Sequence, residues 1–184
     1  MTNYNDIEKE ANNLPLEIGF KRLTDNAILP TKAHSNDSGF DVYAAADVII
    51  EPGETKVVPT DIAIVLPEGF DAYIKNRSGV ASKTKLRVVS PPIDEGYRGA
   101  IGIIIDNIAE DPCGNEMQYL THIDGLDYRT SGELYPNNTY LIRKGDRLAQ
   151  LVVQPRPNTV AVEITGDLGD TERGSGAYGS SGVR

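Results

Sequence analysis

Cysteine is nearly absent: Cys113 stands alone in 184 residues, so no intrachain disulfide can close. That excludes a disulfide scaffold and makes a reducing compartment the expected setting. Tryptophan is missing, and histidine is limited to His34 and His122. Neither histidine sits in a triad motif or at metal-ligand spacing from a cysteine or an acid pair, so neither a Ser-His-Asp hydrolase nor a zinc site is expected. Long apolar runs do not occur and the start, MTNYNDIEKEANN, is polar and acidic, so neither a membrane span nor a leader is expected. Positive charge is scarce, with 18 Lys and Arg against 27 Asp and Glu, a formal net charge of −9. A polyanion would be repelled by such a surface, which argues against non-specific nucleic-acid binding. Together these absences predict one soluble, cytoplasmic domain.

Helical periodicity is also scarce. The best helix candidates are short, residues 4–13 and 79–85. What is present instead is a series of short Val- and Ile-rich runs at 48–50, 57–58, 62–66, 72–74, 86–89, 101–105, 139–143, 148–153 and 159–164. Turn residues punctuate them, as at Pro52-Gly53, Pro67-Gly69 and Lys144-Asp146. Many short strands with 18 glycines and 11 prolines predict an all-β chain, a sandwich or barrel rather than βαβ units. The expected organisation is an N-terminal extension over 1–15, a β domain over 16–168 and a glycine-rich, mobile arm over 169–184. Residues 108–138 form a long polar insertion within the domain, either a surface excursion or a functional loop.

Five segments carry polar residues suited to chemistry. In Asn76-Arg77-Ser78-Gly79-Val80, a Ser-Gly step at a helix start offers N–H groups, a hydroxyl and a positive dipole end, and Arg77 adds a fixed charge. The other reading is a surface cap beside a solvated arginine. The tail from Arg173 to Gly182 sets one arginine, Tyr178 and three hydroxyls in a backbone able to curl round a ligand, or is simply a loose terminus. Ile93-Asp94-Glu95-Gly96-Tyr97 reads as a hairpin turn, or as a turn holding a proton-accepting carboxylate beside an aromatic ring. In Ser38-Gly39-Phe40-Asp41, Asp41 falls at a strand position and can reach a metal or its waters, while Asp37 suits an Asx turn. In Arg147-Leu148-Ala149-Gln150, alternation sets Gln150 on the face of Leu148, among buried residues.

Taken in order, SGFDVYAA, NRSGVAS, IDEGYRGAIG, GDRLAQLVV and RGSGAYGSSG resemble the five motifs of the trimeric dUTP pyrophosphatases, the dUTPases, over roughly residues 17–183. The resemblance implies a jelly-roll-like β fold (β-clip) with one short helix and a flexible C-terminal arm. It implies a homotrimer with three active sites at subunit boundaries and Mg²⁺-dependent hydrolysis of dUTP to dUMP and pyrophosphate, which keeps uracil out of DNA and supplies dUMP for dTMP synthesis. Carried over by position, Asp94 is the general base, Tyr97 packs on the deoxyribose, and backbone near Ile93 reads the uracil. Arg77, Ser78, Gly79 and Gln150 hold phosphates, and Asp41 holds waters of the Mg²⁺ shell. From the arm, Arg173, Gly179, Ser180 and Ser181 grip the outer phosphates and Tyr178 lies over the uracil.

Two departures stand out: Pro91-Pro92 removes N–H donors from the uracil hairpin, and Ala177 replaces a usual glycine. An insertion like 108–138 occurs in some bacteriophage dUTPases, where it is linked to a protein partner. The resemblance therefore implies a phage-type protein in the host cytoplasm, with a regulatory partner as one use of the insertion. Two other functions compete with dUTP hydrolysis. One is a dCTP deaminase-like relative, which needs a glutamate at the base. The other is a nucleotide-switched binding protein.

Overall fold

The computed structural model describes residues 15–110, 114–172 and 174–175. The helix expected over 4–13 and Cys113 lie outside them. The all-β expectation holds: among the described residues, fifteen strands and one helix make up the regular structure. In chain order these are β1 Gly19–Arg22, β2 Phe40–Tyr43, β3 Val48–Ile50, β4 Thr55–Pro59, β5 Ile62–Val65, β6 Phe70–Asn76, helix α1 Ser78–Lys83, β7 Leu86–Val89 and β8 Pro92–Ile93. They continue with β9 Gly102–Asn107, β10 Glu116–Met117, β11 Tyr119–His122, β12 Asp127–Arg129, β13 Tyr135–Pro136, β14 Tyr140–Ile142 and β15 Arg147–Pro155.

The strands form three principal sheets, ordered β2-β15-β6-β8, β4-β9-β7 and β12-β11-β14-β3, with β1-β5 and β10-β13 as separate pairs. Period-two patterning directs the burial: in β9, Ile103, Ile105 and Asn107 point inward and their neighbours are half-buried. Strand β5 has apolar residues on both faces, and Ile62, Ala63 and Ile64 are all buried. One core gathers Val42, Ile50, Val58, Ile74, Leu148 and Leu151 from the three sheets.

The insertion is more ordered than its polarity predicts. Residues 108–138 contain β10, β11, β12 and β13, and β11 pairs in parallel with β14 to extend a core sheet. Its two ends meet at Asn107, which is 1% exposed. The Asn107 amide donates to the carbonyls of Ile50 at 3.0 Å and Asn138 at 2.9 Å, and its oxygen accepts from Ala109 N–H at 3.0 Å. A segment that leaves and re-enters at one point disturbs the scaffold little. His122 gives a second tie: Nε2 lies 2.8 Å from Asp146 in the β14–β15 turn and Nδ1 3.1 Å from Asp124. The sequence places no acid pair beside this histidine because Asp146 is 24 residues away.

Two expectations are corrected. Residues 159–164 pair with no strand among the described residues, and Val160, Val162 and Ile164 are exposed. Gln150 does not share the face of Leu148. A bulge between Arg147 and Ala149 breaks the alternation, burying Leu148, Ala149 and Leu151 and leaving Gln150 on the opposite, half-buried face.

Candidate active site

The site residues fall into two groups, each built by its own elements. The first surrounds the end of β6. Strand β15 runs between β2 and β6, so Asp41, Gln150 and Lys75 lie opposite one another in one row. Directly paired residues share a sheet face, so the three side chains project together. The chain enters β2 through Gly39, where a Cβ would fall 2.9 Å from the Leu151 carbonyl oxygen and 3.0 Å from Val152. The close approach accounts for glycine at that position. Asp37 closes the preceding turn backward rather than forward, its carboxylate accepting from His34 N–H at 2.8 Å. That bond holds its pKa below the ordinary value.

Asp41 is 6% exposed, and its two oxygens face Arg77 Nε and Arg147 Nη1, each at 3.4 Å. Arg77 is the N-cap residue of α1, in extended conformation with no side-chain cap bond. The first N–H groups of the helix, at Ser78 and Gly79, therefore lack intrahelical partners, and no acidic residue occupies the first turn. Arg77, Ser78, Gly79, Gln150 and Asp41 thus converge, with Lys75 and Arg147 added. Three cations and one buried carboxylate make this corner positive on an acidic chain. The sequence reading assigned Lys75 and Arg147 no role. Arg147 is 106 residues from Asp41, and only the sheet register brings them together.

The second group lines a cleft of about 190 Å³ whose walls include Ile74, Val89, Pro92, Ile93, Asp94 and Tyr97. Strand β8 touches β6 through only two residue pairs, Ala72 with Ile93 and Tyr73 with Pro92. Beyond it the chain turns, Tyr97 N–H donating to the Asp94 carbonyl at 3.0 Å. The Asp94 side chain is exposed and accepts no hydrogen bond from any described residue. Tyr97 lies over Gly99 and its hydroxyl donates to the Ala100 carbonyl at 2.9 Å. A free carboxylate beside an immobilised ring can accept a proton from water at one edge of an apolar slot.

The two groups do not meet within the chain. Ile93 pairs with Ala72 in the middle of β6, whereas Arg77 follows Asn76 at its end, roughly 16 Å along a chain rising about 3.3 Å per residue. None of Arg77, Ser78, Gly79, Gln150 or Asp41 lines the cleft. Arg173, Tyr178, Gly179, Ser180 and Ser181 lie outside the described residues.

Scaffold and cleft together define an all-β protein with a carboxylate at the edge of a small pocket and a cationic corner beside it. Its family follows from comparison. The dUTPase family pattern matches residues 25–113. The deoxyuridine 5'-triphosphate nucleotidohydrolase of Gloeothece citriformis is 37% identical over 170 residues, 91% of this chain and 98% of that one. Among solved structures, the dUTPase of Staphylococcus bacteriophage 80alpha with dUPNHPP superposes at a TM-score of 0.85 with 38% identity, covering 91% of this chain and 99% of that one. That of S. aureus phage phi11, with its species-specific insert, gives a TM-score of 0.78 with 35% identity over 83% of this chain and 98% of its own. A variant of the phi11 protein coordinates a structural Mg(II) ion. The chain belongs to the dUTPase family, the dUTP diphosphatases, and the solved structures just named are phage proteins.

Proposed function

We propose that the protein hydrolyses dUTP to dUMP and pyrophosphate, with Mg²⁺, in sites shared between the subunits of a homotrimer. The observation that carries this reading is the Asp94–Tyr97 turn: a carboxylate with no hydrogen-bond donor among the described residues, beside a ring, at the edge of the cleft. Family membership supplies the substrate class. Water held by Asp94 gives its proton to the carboxylate as its oxygen bonds to the α-phosphorus, and the bond to the β-phosphate bridging oxygen breaks with pyrophosphate leaving. Ile93 and its neighbours form the base end of the slot. Tyr97 packs on the sugar, where its ring leaves no room for a 2′-hydroxyl. Arg77, Gln150 and the N–H groups of Ser78 and Gly79 hold phosphate oxygens. Arg173, Ser180 and Ser181, with Gly179, bind the outer phosphates, and Tyr178 covers the base.

The residues fit Mg²⁺ held through water rather than in a protein cage. Among the described residues no three acids or histidines cluster to ligate a metal. Mg²⁺ commonly keeps several waters and takes substrate phosphate oxygens, which demands little more than one nearby carboxylate. Asp41 meets that demand: its contacts to Arg77 and Arg147 are long, and a carboxylate has about four lone-pair sites. When bound, the ion neutralises charge on the phosphates.

The test is pyrophosphate release from dUTP against dTTP, dCTP and UTP in the presence of Mg²⁺. The expected result is turnover of dUTP alone, and a loss of about 10³-fold on Asp94→Asn with nucleotide binding retained. Equal use of dTTP, ammonia release from dCTP, or an unaffected Asp94→Asn enzyme would each overturn the assignment. A second role is supported by the insertion, which forms its own strands pinned at both ends by Asn107. The 80alpha neighbour belongs to the phage dUTPases that control transfer of virulence genes by a G protein-like mechanism. Residues 108–138 are proposed as the surface for such a regulatory protein, and a pull-down with the segment deleted tests it.

A further inference from the structure

Among the described residues none donates a hydrogen bond to the Asp94 side chain, so within them the direction of its carboxylate depends on the backbone at each side. On one side Ile93 is held by the two-residue strand β8. On the other side stands Glu95. Its Oε2 accepts from Gly69 N–H at 2.9 Å and from Arg156 Nη2 at 3.0 Å. Gly69, with φ of +79°, ends the turn between β5 and β6. Arg156 is the first residue after β15, and it is fixed three ways. Its N–H donates to the Gly69 carbonyl at 2.6 Å, and Nε lies 3.2 Å from Asp71 in an ion pair. The third contact is the bond to Glu95. The turn is braced from within by Arg98, whose Nη1 donates to the carbonyls of Glu95 and Tyr97 at 2.6 and 2.8 Å.

We infer that Glu95 and Arg156 are positioning residues: they clamp the Asp94 turn to the β5–β6 turn and thereby aim the base at the attacking water. The inference rests on the proposed hydrolysis. Its physical grounds are independent of the family motifs, because Gly69 and Arg156 belong to none of them. A two-pair strand cannot by itself hold an exposed turn still. An acceptor bonded at once to a backbone N–H and a guanidinium can, and the Gly69 N–H also keeps the Glu95 pKa below its ordinary value. Misplacement of a base by about 1 Å lowers turnover by up to about a hundredfold without removing any group that touches substrate. Arg156 also opens the exposed segment leading to the C-terminal arm, so the same contact fixes where that segment departs.

The experiment compares E95A, R156A and the double variant, measuring kcat and KM for dUTP and the Kd of a non-hydrolysable imido analogue. Each single change is expected to lower kcat about tenfold, with KM and Kd within about twofold of the parent. The double variant is expected to lose no more than the weaker single, because both break one clamp. E95Q, which still accepts from Gly69 N–H, is expected between E95A and the parent. Unchanged kcat in R156A, losses that multiply, or losses confined to KM would overturn the clamp. Failure of the parent protein to turn over dUTP would instead overturn the hydrolysis, and the clamp with it.

Discussion

At the scale of single residues, the clearest assignments are those where a neighbour leaves no alternative. Tyr97 is 45% exposed, yet its ring is not free to wander. A Cβ on residue 99 would fall 2.5 Å from its hydroxyl oxygen and 2.7 Å from Cζ, and the hydroxyl is tied to Ala100. The space a side chain at 99 would take is therefore filled by the ring packed over it, so a larger residue there has to move the ring. Gly99→Ala is expected to push the ring out of the place proposed for its contact with the sugar. The consequence is a UTP-to-dUTP ratio of kcat/KM raised about tenfold, read by parallel assays of the two nucleotides. A fold left intact by circular dichroism would accompany it, since residue 99 is exposed. This contact was hidden from the sequence. The motif Tyr97-Arg98-Gly99 identifies the three residues, but nothing in the string says that the ring folds back over the glycine.

Elements were legible to the degree that their pattern was local. Strands β3, β5 and β7 lie within apolar runs, β9 begins in one and runs two residues past it, and α1 lies where the short helix is expected, within a residue of its start. Patterns failed where pairing decides the outcome. Residues 159–164 alternate like a strand but find no partner among the described residues, while β10 to β13 form from polar sequence because partners are present. Gln150 was placed on the wrong face because a bulge at Leu148 inserts a residue, and bulges leave no mark in apolar periodicity. The insertion shows the same dependence on a distant contact. Asn107 spends three side-chain hydrogen bonds on holding its ends, in a position 1% exposed. Asn107→Ala leaves the carbonyls of Ile50 and Asn138 and the N–H of Ala109 without that partner. The expected loss is about 3 kcal/mol in urea unfolding, the scale of leaving buried polar groups unpaired. Because the residue touches neither the cleft nor the cationic corner, turnover per folded molecule is expected to hold.

For the whole molecule, the net charge of −9 and a triphosphate ligand are reconciled by distance. Charges spread over an acidic surface are screened within about 8–10 Å at ordinary salt, whereas Lys75, Arg77 and Arg147 act at contact range in one corner. Symmetry then bears on how that corner joins the cleft. Within one chain the cleft meets β6 at its middle, the corner lies past its end, and none of the corner residues lines the cleft. The exposed surface points the same way: Val160, Val162, Ile164 and Leu168 are 65–85% exposed, a density of apolar surface that a second copy would cover. If the cleft of one subunit meets the corner of the next, a chain carrying Asp94→Asn and a chain carrying Arg77→Ala are each inactive alone but complement each other. Random reassembly of equal amounts gives a sound Asp94 and a sound Arg77 in about a quarter of sites, so about a quarter of parental turnover is expected after mixing in denaturant and refolding. A site contained in one chain gives none, because every chain in the mixture carries a defect. Recovery of activity on mixing, measured as pyrophosphate release against each variant refolded alone, therefore decides between a shared and a private site.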